Sequence, residues 1–98
     1  MHRVILTERA RADFDRLHAF IAAKSPRSAR RAVQRIIEGI DLIALFPRSG
    51  VIVRREVRNA YIRFGRSGYV VRYKIETDAV LITRIWHGKE ARRRAKRG

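Results

Sequence analysis

The sequence predicts one α+β domain, in which an antiparallel helical hairpin packs on one face of a small, mostly antiparallel sheet of about four strands. Three observations lead to this fold class: two apolar stripes of helical period, a Ser-Pro link between them, and period-2 alternation in the second half of the chain. The predicted element order is β-α-α-β-β-β. With 98 residues the chain has room for one core, which we assign to residues 1–88, followed by a basic tail at residues 89–98.

The first helix is predicted over residues 8–23, directly after a short strand at residues 3–6. Thr7 can cap it, because its hydroxyl can accept a hydrogen bond from a backbone N–H that the first turn leaves free. A single apolar stripe then recurs at spacings of four, three and four residues, and it consists of Ala10, Phe14, Leu17 and Ile21. One face of this helix should therefore be buried.

The second helix is predicted from about Pro26 to Leu45. Proline disfavours the α conformation in the residue before it, so Ser25 leaves the first helix and can cap the second. The apolar stripe consists of Ala29, Val33, Ile36, Ile40 and Ile43, widened by Ala32, Ile37 and Ala44. Gly39 interrupts this pattern and can allow a close approach to the first helix. A stop signal follows at residues 46–50, Phe-Pro-Arg-Ser-Gly.

The rest of the chain is predicted to form a three-stranded meander. Residues 51–60 are interpreted as a loop or a short edge piece, because Arg54-Arg55-Glu56 breaks the alternation there. Strands are predicted at residues 61–64, 69–76 and 79–88, joined by turns at 65–68 and 77–78.

The two long strands differ in their alternation. In the first, one side carries Tyr69, Val71, Tyr73 and Ile75 and the other side carries Val70, Arg72, Lys74 and Glu76. This pattern is typical of a sheet that is packed on one side only. In the last strand Leu81, Thr83 and Ile85 alternate with Val80, Ile82, Arg84 and Trp86. Both sets are mostly apolar, so we expect an interior strand, with arginines and aromatics on the face that the helices leave open.

The charge of the chain is strongly unbalanced, with 24 Lys and Arg against 9 Asp and Glu and a formal net charge of +15. Such a surplus favours anionic partners, either nucleic acid or an acidic protein segment. Arginine outnumbers lysine, and its planar fork fits phosphate and carboxylate equally well. Composition alone therefore leaves both kinds of partner open.

Several function classes lack their sequence signals. No apolar run approaches the ~20 residues of a membrane span, and the N-terminus has too few apolar residues for a signal peptide. There is no cysteine, which fits a cytoplasmic location. A phosphate-binding glycine loop and a metal-ligand cluster are also missing, so no cofactor or metal is predicted. An enzyme of this sequence would use metal-independent acid–base chemistry, such as RNA cleavage.

Arg63, Arg72 and Arg84 lie on three strands that are predicted to be neighbours. If they share a face, they form a strip of cations about 5 Å apart per strand, which can hold phosphates or acidic side chains. The alternative is a solvated face. The aromatic residues Tyr61, Tyr69, Tyr73 and Trp86 can stack on bases or on a partner, or they can belong to the core.

His87-Gly88 ends the last strand, and a histidine there can transfer a proton near neutral pH. The plainer interpretation is a polar residue at a strand end, with Gly88 turning the chain. The tail from Lys89 to Arg97 carries six Lys or Arg and one Glu. This segment, including Arg92 and Arg93, can lie on nucleic acid or can simply be a solvated terminus.

The chain resembles the RelE/ParE superfamily of type II toxin–antitoxin toxins, and it is closer to the ParE branch. The resemblance extends over nearly the whole length. It rests on these pieces in this order: Val4-Ile5-Leu6-Thr7 with Ala10 and Asp13; Ser25-Pro26 with Ala29-Arg30-Arg31; Leu45-Phe46-Pro47 with Gly50; Arg55-Glu56-Val57; Tyr69-Val70-Val71-Arg72-Tyr73; and Ile85-Trp86-His87-Gly88-Lys89.

The resemblance implies a small α+β toxin that is neutralised by an antitoxin encoded beside it, with plasmid stabilisation as the associated role. The acidic, largely disordered segment of the antitoxin would fold on the toxin as it binds. ParE-like toxins poison DNA gyrase without being enzymes. RelE-like relatives cleave mRNA in the ribosomal A site, and they usually carry a late Tyr or His near the C-terminus with Lys, Arg or Glu partners. Here no tyrosine follows Tyr73, and His87 with Arg63 and Arg84 matches that set only in part.

Three hypotheses follow. The leading one is a ParE-type toxin that acts on gyrase and binds its antitoxin through Arg63, Arg72, Arg84, Trp86, Lys89, Arg92 and Arg93. The second is a ribosome-dependent mRNA endonuclease, in which the arginines hold phosphate charge and His87 transfers a proton. The third is a nucleic-acid-binding module that uses the basic tail.

Overall fold

The computed structural model describes residues 1–90, in which two α-helices pack on a five-stranded sheet. The elements in chain order are β1 (Arg3–Leu6), α1 (Glu8–Lys24), α2 (Pro26–Leu45), a 3-10 turn (Pro47–Ser49), β2 (Val51–Arg54), β3 (Val57–Phe64), β4 (Ser67–Ile75) and β5 (Ala79–His87). Residues 88–90 begin a further helical turn. The predicted α+β class with a helical hairpin is confirmed.

Both helices begin where the caps predict. The Thr7 hydroxyl accepts a hydrogen bond from the Ala10 N–H at 3.1 Å, and the Ser25 hydroxyl accepts one from the Ser28 N–H at 3.1 Å. Each bond satisfies a donor that has no partner inside the helix. None of the helices in residues 1–90 has the length and apolar character needed to cross a membrane.

The strand order is β1-β5-β4-β3-β2, with β1 parallel to β5 and all other pairs antiparallel. The expectation of about four strands was one too few, because residues 51–60 contain β2 and the first part of β3. The turn between these strands is Arg55-Glu56, directly after Arg54, and Arg55 has a left-handed φ of 38°. Because a non-glycine residue makes this turn, the sequence shows no ordinary hairpin signal there.

A bulge in β5 changes which residues share a face. Arg72 pairs with Arg84 and Tyr73 pairs with Ile82, so Thr83 is the extra residue. The strict alternation predicted for β5 is therefore wrong across Thr83. The residues before Thr83 and those after it are out of phase with each other. Val80 and Ile82 join Ile85 beneath the helices. Leu81, Arg84 and Trp86 lie on the opposite side of the sheet, which we call the outer face.

The core lies between the helical hairpin and the helix-covered face of the sheet. Its largest fully buried side chains are Tyr73, Ile43, Ile82, Ile85, Val71 and Val80. Gly39 does allow a close approach, but to β3 rather than to α1, because a Cβ there would clash with the Ile62 side chain. Ile37, expected to widen the buried stripe of α2, is 50% exposed.

The hydroxyl of Tyr73 fastens the 3-10 turn to the sheet from inside the core. It donates a hydrogen bond to the Pro47 carbonyl at 2.6 Å and accepts one from the Gly50 N–H at 2.9 Å. Tyr73 is fully buried, so its hydroxyl satisfies both backbone groups from the core side of the turn. These bonds therefore fix the position from which β2 starts.

We expect Tyr73→Phe to lower the free energy of unfolding by about 1–3 kcal/mol, because two backbone groups lose their buried partner. The matched control is Tyr61→Phe, since Tyr61 is 65% exposed and its change should leave stability unaltered. Urea unfolding followed by circular dichroism measures both variants. Equal unfolding midpoints for the two variants would contradict the role assigned to the Tyr73 hydroxyl.

Candidate functional site

The three arginines singled out from the sequence share the outer face but do not form one strip. Arg72 lies directly opposite Arg84 on one side and Asn59 on the other, while Arg63 lies opposite Gly68. Arg63 is thus four residues along β3 from Asn59, or roughly 13 Å at the rise of a strand. The structure brings Arg72 and Arg84 together and leaves Arg63 apart.

Arg72 is held in place on the outer face by two neighbours. Its Nε atom donates a hydrogen bond to the Asn59 Oδ1 atom at 3.0 Å, and its guanidinium carbon lies 5.0 Å from the centroid of the Trp86 ring. The stacking is a cation–π contact, which is favourable between a guanidinium and an indole face. The Trp86 indole is buried, and Arg72 is half-buried beside it.

Arg84 forms an ion pair with a carboxylate from α1. Its Nε atom donates to the Asp13 Oδ2 atom at 2.8 Å, and the same oxygen accepts a hydrogen bond from the Ile85 N–H at 2.9 Å. Arg16 adds a second positive charge 3.8 Å from the Asp13 Oδ1 atom. The charge of Arg84 is therefore largely compensated within the protein, whereas residues 1–90 contain no ion pair with Arg72.

Asp13 was not among the predicted site residues, although the sequence contains a signal for it. Asp13 lies three residues after Ala10 and four before Leu17, so it shares the buried face of α1 with them. A carboxylate in such a stripe needs a buried partner. Burial alone raises the pKa of Asp13, but the hydrogen bonds from Arg84 and Ile85 and the nearby guanidinium charges outweigh it and hold that pKa below its usual value.

The helical turn after β5 is attached to α1 by a second ion pair. Arg16 donates to both carboxylate oxygens of Glu90, at 2.8 and 3.3 Å. A two-bond geometry of this kind orients both side chains. Arg16 therefore links the buried Asp13 site to residues 88–90.

His87 lies on the helix-covered face, opposite Tyr69, whose ring meets the imidazole edge-on at a centroid distance of 5.5 Å. Its Nδ1 atom accepts a hydrogen bond from the Lys89 N–H at 3.1 Å, and its Nε2 atom lies 3.0 Å from the Ser67 hydroxyl. Because Nδ1 is an acceptor, the neutral ring carries its proton on Nε2 and donates to Ser67. Burial lowers the pKa of His87, with the Lys89 charge acting in the same direction and Glu90 opposing it.

The structure therefore separates His87 from Arg63 and Arg84. The imidazole lies beneath the sheet with both nitrogens engaged, whereas the arginines lie on the outer face. Of the aromatic residues, Tyr69 and Tyr73 belong to the core and Tyr61 is exposed.

Lys89 joins Arg63 at a basic concavity at the end of the β3–β4 hairpin. This hollow of about 370 Å³ is also lined by Tyr61 and Arg66, and the backbone of Gly68 forms part of its wall. Among residues 1–90, no acidic residue lines this concavity. Arg92 and Arg93 lie outside the described residues.

Comparison with known protein families gives a match over nearly the whole chain. The family model for the ParE toxin of the parDE type II toxin–antitoxin system matches residues 4–92. Toxin RelE1 of Caulobacter vibrioides is 37% identical over 89 residues, covering 91% of this chain and 96% of the relative. Toxin RelE3 of the same organism is 35% identical over 92 residues, covering 94% of this chain and 100% of the relative.

A solved structure shares the fold at lower sequence similarity. A chain of the chromosomal ParDE toxin–antitoxin system from P. aeruginosa superposes with a TM-score of 0.69 at 22% identity, covering 89% of this chain and 96% of that one. At this identity the likeness supports the fold alone.

We expect Asp13→Asn to lower the free energy of unfolding by about 3 kcal/mol at neutral pH, because Arg84 loses its largely buried counter-charge. The folded-state pKa of Asp13 is depressed, so its stabilisation is present above the unfolded pKa of about 3.9 and is lost as pH falls through the folded pKa. The stability gap between wild type and variant should therefore close in acid. Urea unfolding from pH 7 to pH 2 measures it, with the exposed Asp15→Asn as control.

We expect the His87 imidazole to titrate below its ordinary pKa of about 6.5 and to be the Nε2–H tautomer when neutral. The lowered pKa means that the stability contribution of His87 is complete above about pH 6.5 and is lost as pH falls toward the folded pKa. Nitrogen-15 NMR of the ring measures both the titration and the tautomer. A pKa above the ordinary value of about 6.5, or a proton on Nδ1, would contradict this geometry.

Proposed function

This chain belongs to the ParE family of toxins of type II toxin–antitoxin systems, and from that membership we propose that it acts by binding DNA gyrase rather than by catalysis. The gyrase target is the one that the resemblance to ParE implies. In this proposal the toxin meets gyrase in the cytoplasm and needs neither a metal nor a cofactor.

One observation carries the proposal of a non-enzymatic toxin. RNA cleavage by acid–base chemistry needs a proton carrier and cations within reach of the same phosphate. Here the imidazole of His87 and the guanidinium of Arg84 lie on opposite faces of the sheet, and both are already bonded inside the protein. This arrangement supports recognition of a partner rather than cleavage of a substrate.

A type II toxin has a cognate antitoxin, and we propose that an acidic segment of it binds the outer face. The charge of +15 supports an acidic partner. Arg63 is exposed there and lines a concavity with Lys89, and the half-buried Arg72 lies on the same face. Arg84 and Trp86 act in this site as positioning residues. Arg84 pairs with Asp13, and the Trp86 ring stacks against the Arg72 guanidinium. We extend the proposed surface to Arg92 and Arg93 from the sequence alone.

A second candidate function is ribosome-dependent mRNA cleavage. The observation in its favour is that the similar proteins of Caulobacter vibrioides carry the name RelE. The basic concavity formed by Arg63, Arg66 and Lys89 is the place where such a function would hold a phosphate. The hypothesis of a nucleic-acid-binding tail is tested by deleting residues 89–98, which should abolish DNA and RNA binding only if the tail supplies it.

We expect the purified protein to inhibit DNA supercoiling by gyrase and to leave mRNA intact in a translation extract. His87→Ala should retain the inhibition, because the imidazole faces the core; circular dichroism checks that the variant is folded. A proton-transfer role would instead make this substitution reduce cleavage by roughly 10²–10⁴-fold. Codon-periodic mRNA cleavage by the wild type, together with active gyrase, would overturn the proposed target.

A further inference from the structure

The last strand ends in a helix cap whose acceptor atom can be titrated. The helical turn that starts at Gly88 leaves its first backbone N–H groups without partners inside the turn. His87 stands directly before this turn, and its Nδ1 atom accepts a hydrogen bond from the Lys89 N–H at 3.1 Å. This is the geometry of an N-cap, in which a side chain accepts from the second residue of a helix. Thr7 and Ser25 cap α1 and α2 through hydroxyl groups, which remain acceptors over the whole pH range in which a histidine titrates.

The two ring nitrogens of His87 respond differently to a proton. Nε2 lies 3.0 Å from the Ser67 hydroxyl and carries the hydrogen of the neutral ring, so it donates to Ser67 in both charge states. Nδ1 accepts only while the ring is neutral; once protonated, it is a donor that meets the Lys89 N–H, another donor. The new positive charge also lies at the N-terminal end of a helical turn, where the peptide dipoles disfavour a cation. Protonation therefore breaks the contact with the turn and keeps the contact with β4.

The titratable and charged groups that face the imidazole come from three elements. On β4, burial raises the pKa of Tyr69, so its phenol stays neutral while the histidine titrates. In the turn, the charge of Glu90 raises the pKa of His87 and that of Lys89 lowers it, while burial is the main cause that holds this pKa below its ordinary value. From α1, Arg16 binds both carboxylate oxygens of Glu90. Within residues 1–90, the Lys89 N–H has no acceptor besides Nδ1.

We propose that His87 is a pH-dependent positioning residue. Its neutral imidazole holds Lys89 in the wall of the basic concavity, and its protonated form releases Gly88 and Lys89 from that place. Both residues line this hollow of about 370 Å³, together with Arg63 and Arg66. The arrangement of its cations is therefore complete only while the ring is neutral. The proposal concerns the toxin by itself, and it depends neither on the target that the toxin inhibits nor on how an antitoxin binds.

The released segment is short, because the chain is attached on both sides of it. On one side, the Nε2 bond to Ser67 keeps the end of β5 on β4. On the other side, Arg16 donates two hydrogen bonds to Glu90, at 2.8 and 3.3 Å, and a pair of this geometry keeps both side chains oriented. Gly88 and Lys89 are the two residues between these attachments. Acid therefore changes one wall of the concavity without opening the sheet.

NMR of the full chain labelled with nitrogen-15 tests this positioning. Above the midpoint of the ring titration, a scalar coupling across the hydrogen bond should join the Lys89 amide nitrogen to Nδ1 of His87. Well below the midpoint the coupling should vanish. The hydrogen-exchange protection factor of Lys89, which corrects for the pH dependence of exchange itself, should fall by roughly fivefold or more, the equivalent of a typical cap. The N–H groups of Ala10 and Ser28 are internal controls, since hydroxyl caps hold them at both pH values.

Two substitutions separate capping from packing. His87→Asn keeps an acceptor oxygen at the cap and removes the titration, because asparagine is among the best N-cap residues. Lys89 should then stay protected at both pH values. His87→Ala removes the acceptor, and the protection of Lys89 should fall at both pH values to the level that the wild type shows in acid. A role of the ring in packing alone would instead give equal losses in the two variants.

Three results contradict the proposal. They are a Lys89 protection factor that does not change through the ring titration of the wild type, a pH-dependent loss that persists in His87→Asn, and protection that survives His87→Ala. The exchange of Ala10 and Ser28 shows whether each variant is folded. If neither variant folds, the wild type still decides, because its coupling and its Lys89 protection must disappear together at the midpoint of the His87 titration.

Discussion

Where β1 ends at Leu6, no strand of residues 1–90 continues along the edge of β5, and the carboxylate of Asp13 accepts a hydrogen bond there instead. This one oxygen bonds the Ile85 N–H and the Arg84 guanidinium, so α1 replaces β1 along the rest of the edge. Arg16 then connects the same place to Glu90. The position of α1, the compensation of Arg84 and the direction in which the chain leaves the sheet all depend on a single buried carboxylate.

Local signals in the sequence were sufficient to predict where both helices begin. Thr7 and Ser25 identify both helix starts, and the alternation from Tyr69 to Ile75 identifies which side of β4 is buried. The errors came from features that local patterns do not contain. The turn at Arg55 is made by a residue that rarely adopts a left-handed conformation. The bulge at Thr83 is hidden because both sides of β5 are apolar.

The candidate site was predictable in part. Arg72 and Arg84 were placed correctly on one face, while the distance to Arg63 follows from the register of β3 on β4, which residue patterns do not give. The placement of His87 and Arg84 on opposite faces could be predicted from their separation of three residues, since residues three apart in a strand point to opposite faces. Asp13 could be marked as a buried carboxylate, but its partner lies 71 residues away and only the folded chain identifies it. What results is a face in which Arg72 is a fixed cation and Arg84 is already neutralised.

The parallel pairing of β1 with β5 joins the two ends of the domain, since the Thr7 N–H donates to the carbonyl of Ile82. A growing chain cannot complete this sheet until its last strand has left the ribosome. At the roughly 5–20 residues per second of protein synthesis, the nascent polypeptide spends several seconds without its closing strand. The outer-face surface proposed for the antitoxin includes Arg84 and Trp86 of β5, so it is incomplete during that time. Translation therefore delays the closure of the sheet, and with it the completion of the core, until β5 has emerged.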